Sequence, residues 1–314
     1  MKSRIKIGIQ ILHQDEFNSL TDLLDLPNIE FYSWKKHDFD QAQLESCDLL
    51  ILFARRHWRY IKFNKPYLLI LADYVSNQKA IWLSMSRRIS FTGFKYFKNN
   101  LFKGYLCGSI ELYETVTSEN IPAIFYRKKY PFAEIFKQLH KDETYNTKHI
   151  ITLINNYKST ASEHKWNKPQ NSYKVYESIS TAVSNFDFDR YGAPDNEKTF
   201  DESNKIQAAA RYTIHIKYWG HVCNAVIKSL ALGTPVLMDQ ETFHKGRYKA
   251  YLRHRENAMI FKTKEEIVDF LKSPDEKSTW LKLKKTCLAE ANSWHFPYSL
   301  EQKKEAVMLL EKFL

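Results

Sequence analysis

Residues 210–239, ARYTIHIKYWGHVCNAVIKSLALGTPVLMD, constrain the fold more than any other part of the chain. They open on a short run of strand-forming residues, Tyr212 to Ile216. Gly220 then marks a sharp turn, and from His221 to Leu230 apolar and small residues recur at the three-to-four-residue spacing of a helix. The pattern predicts a strand, a tight glycine turn and a helix that begins at His221.

The end of this helix is marked by two residues that stop helices. Gly233 follows the last periodic residue, at a position where helix ends favour a residue with positive φ. Pro235 prevents the helix from resuming, and Val236 to Met238 predict a buried strand. Strand, helix and strand together make one βαβ unit.

The turn before the helix is a candidate phosphate site. The backbone N–H groups of Gly220 and His221 are expected to point out of the helix start, where a partial positive charge suits an anion. His215 and Lys217 lie two residues apart on one side of the strand, and Asn224 follows one helical turn after the glycine. These residues predict the binding of a diphosphate, with Lys217 and the glycine turn best placed.

The same stretch resembles the donor-binding domain of the GT-B glycosyltransferases. In that family the strand, glycine loop and helix are followed by A-x-G-x-P-V, which reads Ala231 to Val236 here. The following segment is also similar, and its matching residues are Asn257, Ala258, Phe261, Glu265 and Glu266. Retaining members carry a glutamate at the glycine turn and another eight residues later, where this chain has Gly220 and Lys228. The sugar- and ribose-binding carboxylates therefore cannot be carried over.

The resemblance implies an α/β chain of two Rossmann-like, doubly wound domains that face a central cleft. Residues 1–140 would form the acceptor-side domain, residues 141–298 the nucleotide-sugar-binding domain, and residues 299–314 a helix that crosses back to the first domain. The implied activity is hexosyl or pentosyl transfer from a nucleotide-diphosphate sugar to a glycan or lipid-linked acceptor.

Apolar runs elsewhere in the chain agree with this fold class. Ile5–Ile11, Cys47–Phe53 and Tyr67–Ala72 are nearly continuous apolar segments, typical of parallel strands covered on both faces. The first of them is interpreted as a strand and not as a signal peptide, because its basic residues alternate with isoleucines and no small-residue cleavage site follows. The polar segment Lys137–Lys148 has no apolar period and predicts the domain boundary.

Candidate catalytic residues follow the predicted strand ends, where a doubly wound sheet binds its ligands. His13 comes after the first strand and Asp73 after Tyr67–Ala72, so either is a candidate base for the acceptor hydroxyl. Three arginines after another strand are candidates for binding an anionic acceptor: Arg55, Arg56 and Arg59.

Other charged residues extend the candidate donor site. Lys245 and Arg247 follow the strand that ends at Asp239, and Lys228 is a candidate for a phosphate or an acidic sugar. Asp187 and Asp189 spell a D-x-D motif, but they lie in a predicted strand and not in a turn. We therefore expect a nucleotide-diphosphate sugar as co-substrate and no metal requirement.

The formal net charge of +11 indicates anionic partners: a nucleotide diphosphate, an anionic membrane surface or nucleic acid. Residues Arg87–Lys103 mix basic and aromatic side chains, which favours contact with a membrane or with nucleic acid. The alternative is a helix or loop whose aromatic side chains enter the core. Nucleic acid is the less favoured partner.

The cysteine spacing and hydropathy predict a cytoplasmic protein, and the net charge leaves peripheral contact with an anionic membrane open. The four cysteines are far apart and indicate reduced thiols, and no run approaches the roughly 18 apolar residues of a membrane span. Two other interpretations stay open. One is a nucleic-acid-directed protein, either a DNA or RNA glycosyltransferase or a binding module. The other is a catalytically inactive GT-B-like scaffold, because both expected glutamates are missing.

Overall fold

The computed structural model describes residues 4–11, 14–35, 38–53, 64–71, 101–118, 120–139, 147–154, 169–192, 195–217 and 222–313. In chain order the strands are β1 (Ile5–Ile11), β2 (Ile29–Lys35), β3 (Leu49–Phe53), β4 (Tyr67–Leu71), β5 (Phe102–Cys107), β6 (Ala123–Phe125), β7 (His149–Leu153), β8 (Asp187–Tyr191), β9 (Tyr212–Ile214), β10 (Val236–Asp239) and β11 (Ala258–Phe261). The helices are α1 (Gln14–Leu23), α2 (Gln41–Ser46), α3 (Ile110–Ser118), α4 (Ala133–Leu139), α5 (Pro169–Ala182), α6 (Phe200–Ala209), α7 (Asn224–Ala231), α8 (Gln240–Gly246), α9 (Lys264–Lys272), α10 (Glu276–Glu290) and α11 (Leu300–Glu311).

The chain divides into two compact units. One is formed by Met1–Lys129 together with Pro297–Leu314, and the other by Tyr130–Phe296. The domain boundaries suggested by the sequence, after residues 140 and 298, remain predictions. Of the polar segment expected at the first boundary, Lys137 belongs to helix α4, and residues 140–146 lie outside the described ranges.

The first unit is built on a parallel sheet with the strand order β2-β1-β3-β4-β5-β6. Both faces of this sheet are covered, because neighbouring residues of one strand enter different apolar clusters. Leu49 and Ile51 of β3 pack in a cluster with α1 and α11, whereas Leu50 and Leu52 pack with α2 and α3. This burial on both faces explains the continuous apolar runs in the sequence.

The last helix, α11, belongs to the core of the first unit. Val307 and Leu310 are buried in the same cluster as residues of β1 and α1. Lys303 Nζ lies 2.8 Å from Asp22 Oδ1 of α1, which pairs the two helices at the edge of that cluster.

The second unit has a parallel sheet with the strand order β11-β10-β9-β7-β8. The chain runs outward from β7 to β8 and then returns to the other side of β7 with β9, so the strand order reverses between β7 and β9. In sheets of this kind, ligands bind beyond the carboxyl ends of the strands at such a reversal. The predicted α/β class, with two Rossmann-like doubly wound sheets, is confirmed.

The central stretch folds largely as its sequence indicates, with two corrections. Strand β9 ends at Ile214 and not at Ile216, so His215 and Lys217 follow the strand and do not lie on one side of it. Gly233 has φ +73°, which confirms the predicted positive φ at the end of the helix. Helix α7, however, begins at Asn224 and not at His221. Cys223 is the extended residue before it, with φ −77° and ψ 134°. Its N–H group donates to the Tyr248 hydroxyl at 3.0 Å.

Candidate functional site

The carboxyl end of β9 lies at the reversal of strand order in the second unit. Beyond Ile214 the chain continues alongside β10, and the His215 N–H donates to the Leu237 carbonyl at 2.9 Å. Two residues later the Lys217 N–H donates to Thr242 Oγ1 at 3.1 Å. These bonds fix the backbone at both residues, of which His215 is buried and Lys217 is partly exposed.

Asp239 and Thr242 make a buried capping pair that supports Lys217. Asp239 ends β10 and caps α8, and its Oδ1 accepts the Thr242 N–H at 2.7 Å. The Thr242 hydroxyl donates to Asp239 Oδ2 at 3.1 Å and accepts from Lys217. Both side chains are buried, and this burial raises the pKa of the Asp239 carboxyl. The backbone of Lys217 is thereby fixed to the first turn of α8.

Tyr248 joins the end of β9 to the start of α7. Its Oη lies 3.1 Å from His215 Nε2 and accepts the Cys223 N–H at 3.0 Å. The two rings meet edge to face, with centroids 6.0 Å apart. His215 is 4% exposed and Tyr248 1% exposed, so this contact lies inside the protein. A single side chain therefore holds two elements that flank the candidate phosphate site.

Helix α7 presents its first turn at the same edge of the sheet. Cys223 makes no side-chain hydrogen bond to that turn, and Asn224, its first residue, is partly exposed. A helix start carries a partial positive charge. Two N–H groups at this start already have acceptors, since Cys223 donates to Tyr248 and Val226 donates to the Cys223 carbonyl. Lys217 and Asn224 both follow the carboxyl end of β9 within the second unit.

The other predicted donor residues lie in different surroundings. Lys228 Nζ lies 4.3 Å from the ring centroid of Phe200 and 5.6 Å from that of Tyr130, so its ammonium faces two aromatic rings. Lys245 forms an exposed ion pair with Glu241, one turn earlier in α8. Arg247 follows α8 in the left-handed conformation, at φ 57° and ψ 53°.

Several predicted site residues lie outside the described ranges. These are Gly220 and His221 of the glycine turn, the catalytic candidates His13 and Asp73, and the acceptor-side arginines Arg55, Arg56 and Arg59. Most of the basic-aromatic segment, residues 87–100, lies outside them as well.

Thr242 and Tyr248 are supporting residues that the sequence reasoning missed. Thr242 had a readable signal, since Asp239 followed three residues later by threonine matches the spacing of a helix cap and its partner. Tyr248 had none, because its partners are 33 and 25 residues away along the chain.

The D-x-D letters of Asp187 and Asp189 belong to β8, which confirms the predicted strand. Asp189 Oδ2 lies 2.6 Å from His149 Nε2 on β7, so this carboxylate already has a partner. Within the described ranges, no group of three His, Cys, Asp or Glu side chains is arranged to hold a metal ion. No helix in those ranges is long and apolar enough to cross a membrane.

Comparison with solved structures finds proteins that are similar to this chain in fold but not in sequence. The Anabaena protein Alr3699/HepE, crystallised with UDP and glucose, superposes with a TM-score of 0.61 at 10% identity, over 98% of this chain and 100% of that one. A glycosyltransferase from Rickettsia africae gives 0.58 at 8% identity, over 100% and 99%. Sucrose-phosphate synthase from Thermosynechococcus elongatus gives 0.58 at 8% identity, over 98% and 99%.

Sequence comparisons add nothing to this likeness. No protein-family model matches the chain, and no curated protein sequence matches it. The structural matches span both units over nearly their whole length, and the chain has the two-domain GT-B fold.

Proposed function

We propose that this GT-B chain is a glycosyltransferase that moves a hexosyl or pentosyl group from a nucleotide-diphosphate sugar to a glycan or lipid-linked acceptor. The observation that carries the proposal lies at the strand-order reversal of the second unit, where Lys217 follows the carboxyl end of β9. There the Tyr248 hydroxyl contacts both His215 and Cys223, the residue before α7. The presence of UDP and glucose in the HepE crystal structure, a protein of the same fold, supports it.

The chemistry of glycosyl transfer determines which groups the site must provide. The bond from the anomeric carbon to the diphosphate oxygen breaks, and a bond from that carbon to the acceptor oxygen forms. The leaving diphosphate keeps the electron pair, and a base takes the acceptor proton. The protein therefore has to provide fixed positive groups near the leaving oxygens, which stabilise the negative charge of the diphosphate.

In the second unit, we assign the diphosphate to Lys217 and the start of α7. Lys217 supplies a full charge on a backbone held by Thr242, and the helix start supplies a partial positive charge. In the same proposal Gly220 and His221 contribute backbone N–H groups, and Asn224 contributes its side-chain amide. These charges perform the role of a metal ion, so transfer is expected without one.

Three further cations complete the donor side of the proposal. Lys245 and Arg247 lie at the end of α8, where they add positive charge around the diphosphate. Lys228 replaces a family carboxylate and lies over the Phe200 ring. A cation there favours a phosphate or an acidic sugar, whereas the family carboxylate hydrogen-bonds sugar hydroxyl groups.

The first unit is assigned to the acceptor and the base. Strands β1 and β4 end at Ile11 and Leu71, two residues before His13 and Asp73 respectively. Strand β3 ends at Phe53, just before the three arginines proposed to bind the acceptor. The carboxyl ends of parallel strands share one edge of a sheet, which is where a base for the acceptor hydroxyl is needed.

The deciding experiment is nucleotide binding followed by turnover. Isothermal titration with UDP and with GDP, in buffer containing EDTA, should give a measurable Kd for at least one of them. Release of that nucleotide from its sugar conjugates should then occur with oligosaccharide or polyprenyl-phosphate acceptors. Binding without turnover on any conjugate would favour the inactive scaffold.

A separate experiment tests the competing function, which is nucleic-acid binding. Salt-dependent retention of DNA or RNA without any nucleotide affinity would replace the proposal. Flotation with anionic vesicles tests peripheral membrane contact, which the net charge of +11 favours.

A further inference from the structure

We infer that Tyr248 is the positioning residue of the donor site, holding the start of α7 against the end of β9, and that Gly246 is required to make room for its ring. This inference rests on the proposed function for its catalytic consequence. Its structural part rests only on contacts among described residues.

The Tyr248 hydroxyl is the centre of the arrangement. It accepts the Cys223 N–H at 3.0 Å and contacts His215 Nε2 at 3.1 Å. His215 is itself held to β10 through its backbone N–H, and Cys223 is the cap residue of α7. Because one hydroxyl engages both, a movement of α7 relative to β9 breaks at least one hydrogen bond.

This coupling is what a preorganised phosphate site needs. Lys217 is two residues from His215, and Asn224 directly follows Cys223. The Tyr248 hydroxyl therefore links the segment that carries Lys217 to the residue before the helix. Groups that are already in place before the ligand arrives bind it with a smaller loss of conformational entropy.

The residue at position 246 decides where the Tyr248 ring can lie. A Cβ atom built on Gly246 would be 2.1 Å from Tyr248 Cε2 and 2.7 Å from Cδ2. These distances are far below van der Waals contact, so any side chain at this position displaces the ring. Arg247, between them, adopts the left-handed conformation that brings the ring back under the end of α8.

The reactivity of the Cys223 thiol reports on the position of the start of α7. All four cysteines are free thiols, and Cys223 is partly exposed whereas Cys47, Cys107 and Cys287 are buried. Burial also raises the pKa of Cys47 to about 11 and that of Cys287 to about 12, which suppresses their reactive thiolates. A thiol reagent such as DTNB should therefore label Cys223 first.

The test compares Tyr248→Phe and Gly246→Ala with Tyr176→Phe. Tyr176 is a matched control, since it is a buried tyrosine of the same unit whose hydroxyl donates to the Asp189 carbonyl at 2.8 Å. Without nucleotide, DTNB should label Cys223 several-fold faster in Tyr248→Phe and Gly246→Ala than in the wild type. The Tyr176→Phe rate should stay at the wild-type value.

Titration with UDP then measures the consequence for the donor site. The Kd should rise about fivefold or more in Tyr248→Phe, the equivalent of one lost hydrogen bond, and should not change in Tyr176→Phe. Gly246→Ala should weaken binding as well, although alanine favours a helix more than glycine does.

The two ways of failing can be told apart. Wild-type labelling of Cys223 together with a wild-type Kd in Tyr248→Phe would overturn the inference. A wild-type protein that binds no nucleotide would overturn the proposed function instead, and the labelling rates would still decide whether Tyr248 holds α7. An equal loss of affinity in Tyr176→Phe would show a general effect of stability and would also overturn the inference.

Discussion

The backbone N–H of Lys217 donates a 3.1 Å hydrogen bond to the side-chain hydroxyl of Thr242, 25 residues further along the chain. This bond joins the end of β9 to the first turn of α8, and the Thr242 hydroxyl in turn donates to Asp239. The backbone of Lys217, the residue proposed to bind the diphosphate, is thus held by a neutral, fully buried side chain.

Thr242→Val should therefore weaken the donor site without removing any charge. The substitution keeps the shape of the side chain but leaves the Lys217 N–H and one Asp239 oxygen without this partner. We expect a loss of about 1–2 kcal/mol in stability and a raised Kd for UDP. Urea denaturation and titration calorimetry measure the two effects. Thr242→Ser, which keeps the hydroxyl, should retain the affinity, and equal affinities in all three proteins would contradict this role.

Lys217→Ala tests the charge itself. A charge-assisted hydrogen bond to phosphate is worth about 1.5–3 kcal/mol, so the Kd for UDP should rise at least about tenfold. Lys205→Ala is the matched control, because Lys205 is an exposed lysine on α6 of the same unit. Unchanged affinity in Lys217→Ala would remove Lys217 from the site.

Gly220→Val tests whether the backbone approaches a phosphate at the glycine turn. A side chain there should block that approach and abolish UDP binding, while the melting temperature stays near that of the wild type. Calorimetry and a thermal melt on one purified variant measure both quantities. A purely structural turn would give a lower melting temperature and a folded fraction that still binds normally.

Glu276→Gln should destabilise the second unit strongly. Arg211 and Glu276 are 4% and 5% exposed and form two hydrogen bonds of 2.8 and 2.6 Å, with the guanidinium 4.3 Å from the Trp280 ring centroid. Neutralising Glu276 leaves the buried Arg211 guanidinium without an anionic partner, which should lower the free energy of unfolding by about 3–5 kcal/mol. The midpoint of urea unfolding measures this loss of stability. Glu134→Gln, which breaks the exposed pair with Lys137, should shift that midpoint very little.

His254 should make the protein less stable as pH falls below about 6.5. Its Nδ1 accepts the Ile260 N–H at 3.0 Å, and burial together with the neighbouring Arg255 lowers the pKa of its ring. The unfolded chain, with an ordinary pKa of about 6.5, then binds the proton first. The contribution of neutral His254 to stability is therefore complete above the unfolded pKa and is lost as pH falls through the lowered pKa of the folded protein.

The comparison with His254→Asn isolates this residue. Asparagine offers an oxygen in place of Nδ1 and does not titrate. Its urea midpoint should therefore fall less than that of the wild type as pH is lowered from 7 to 5. Parallel curves for the two proteins would show that His254 does not contribute.

The fold class was readable from the sequence because its signals are local. Continuous apolar runs mark strands buried on both faces, and Gly233 followed by Pro235 marks the end of a helix and the start of a strand. Each signal acts through backbone geometry or burial within a few residues. They were sufficient for the α/β class and for the strand–helix–strand order of residues 212–239.

The supporting contacts of the site were decided by tertiary structure. Tyr248 reaches Cys223 and His215 only because β9, α7 and the end of α8 converge. The environment of Lys228 likewise depends on Phe200 of α6, which is distant along the chain. A sequence pattern records what each residue can do locally, whereas hydrogen bonds and ring contacts between distant segments depend on how the sheet brings those segments together.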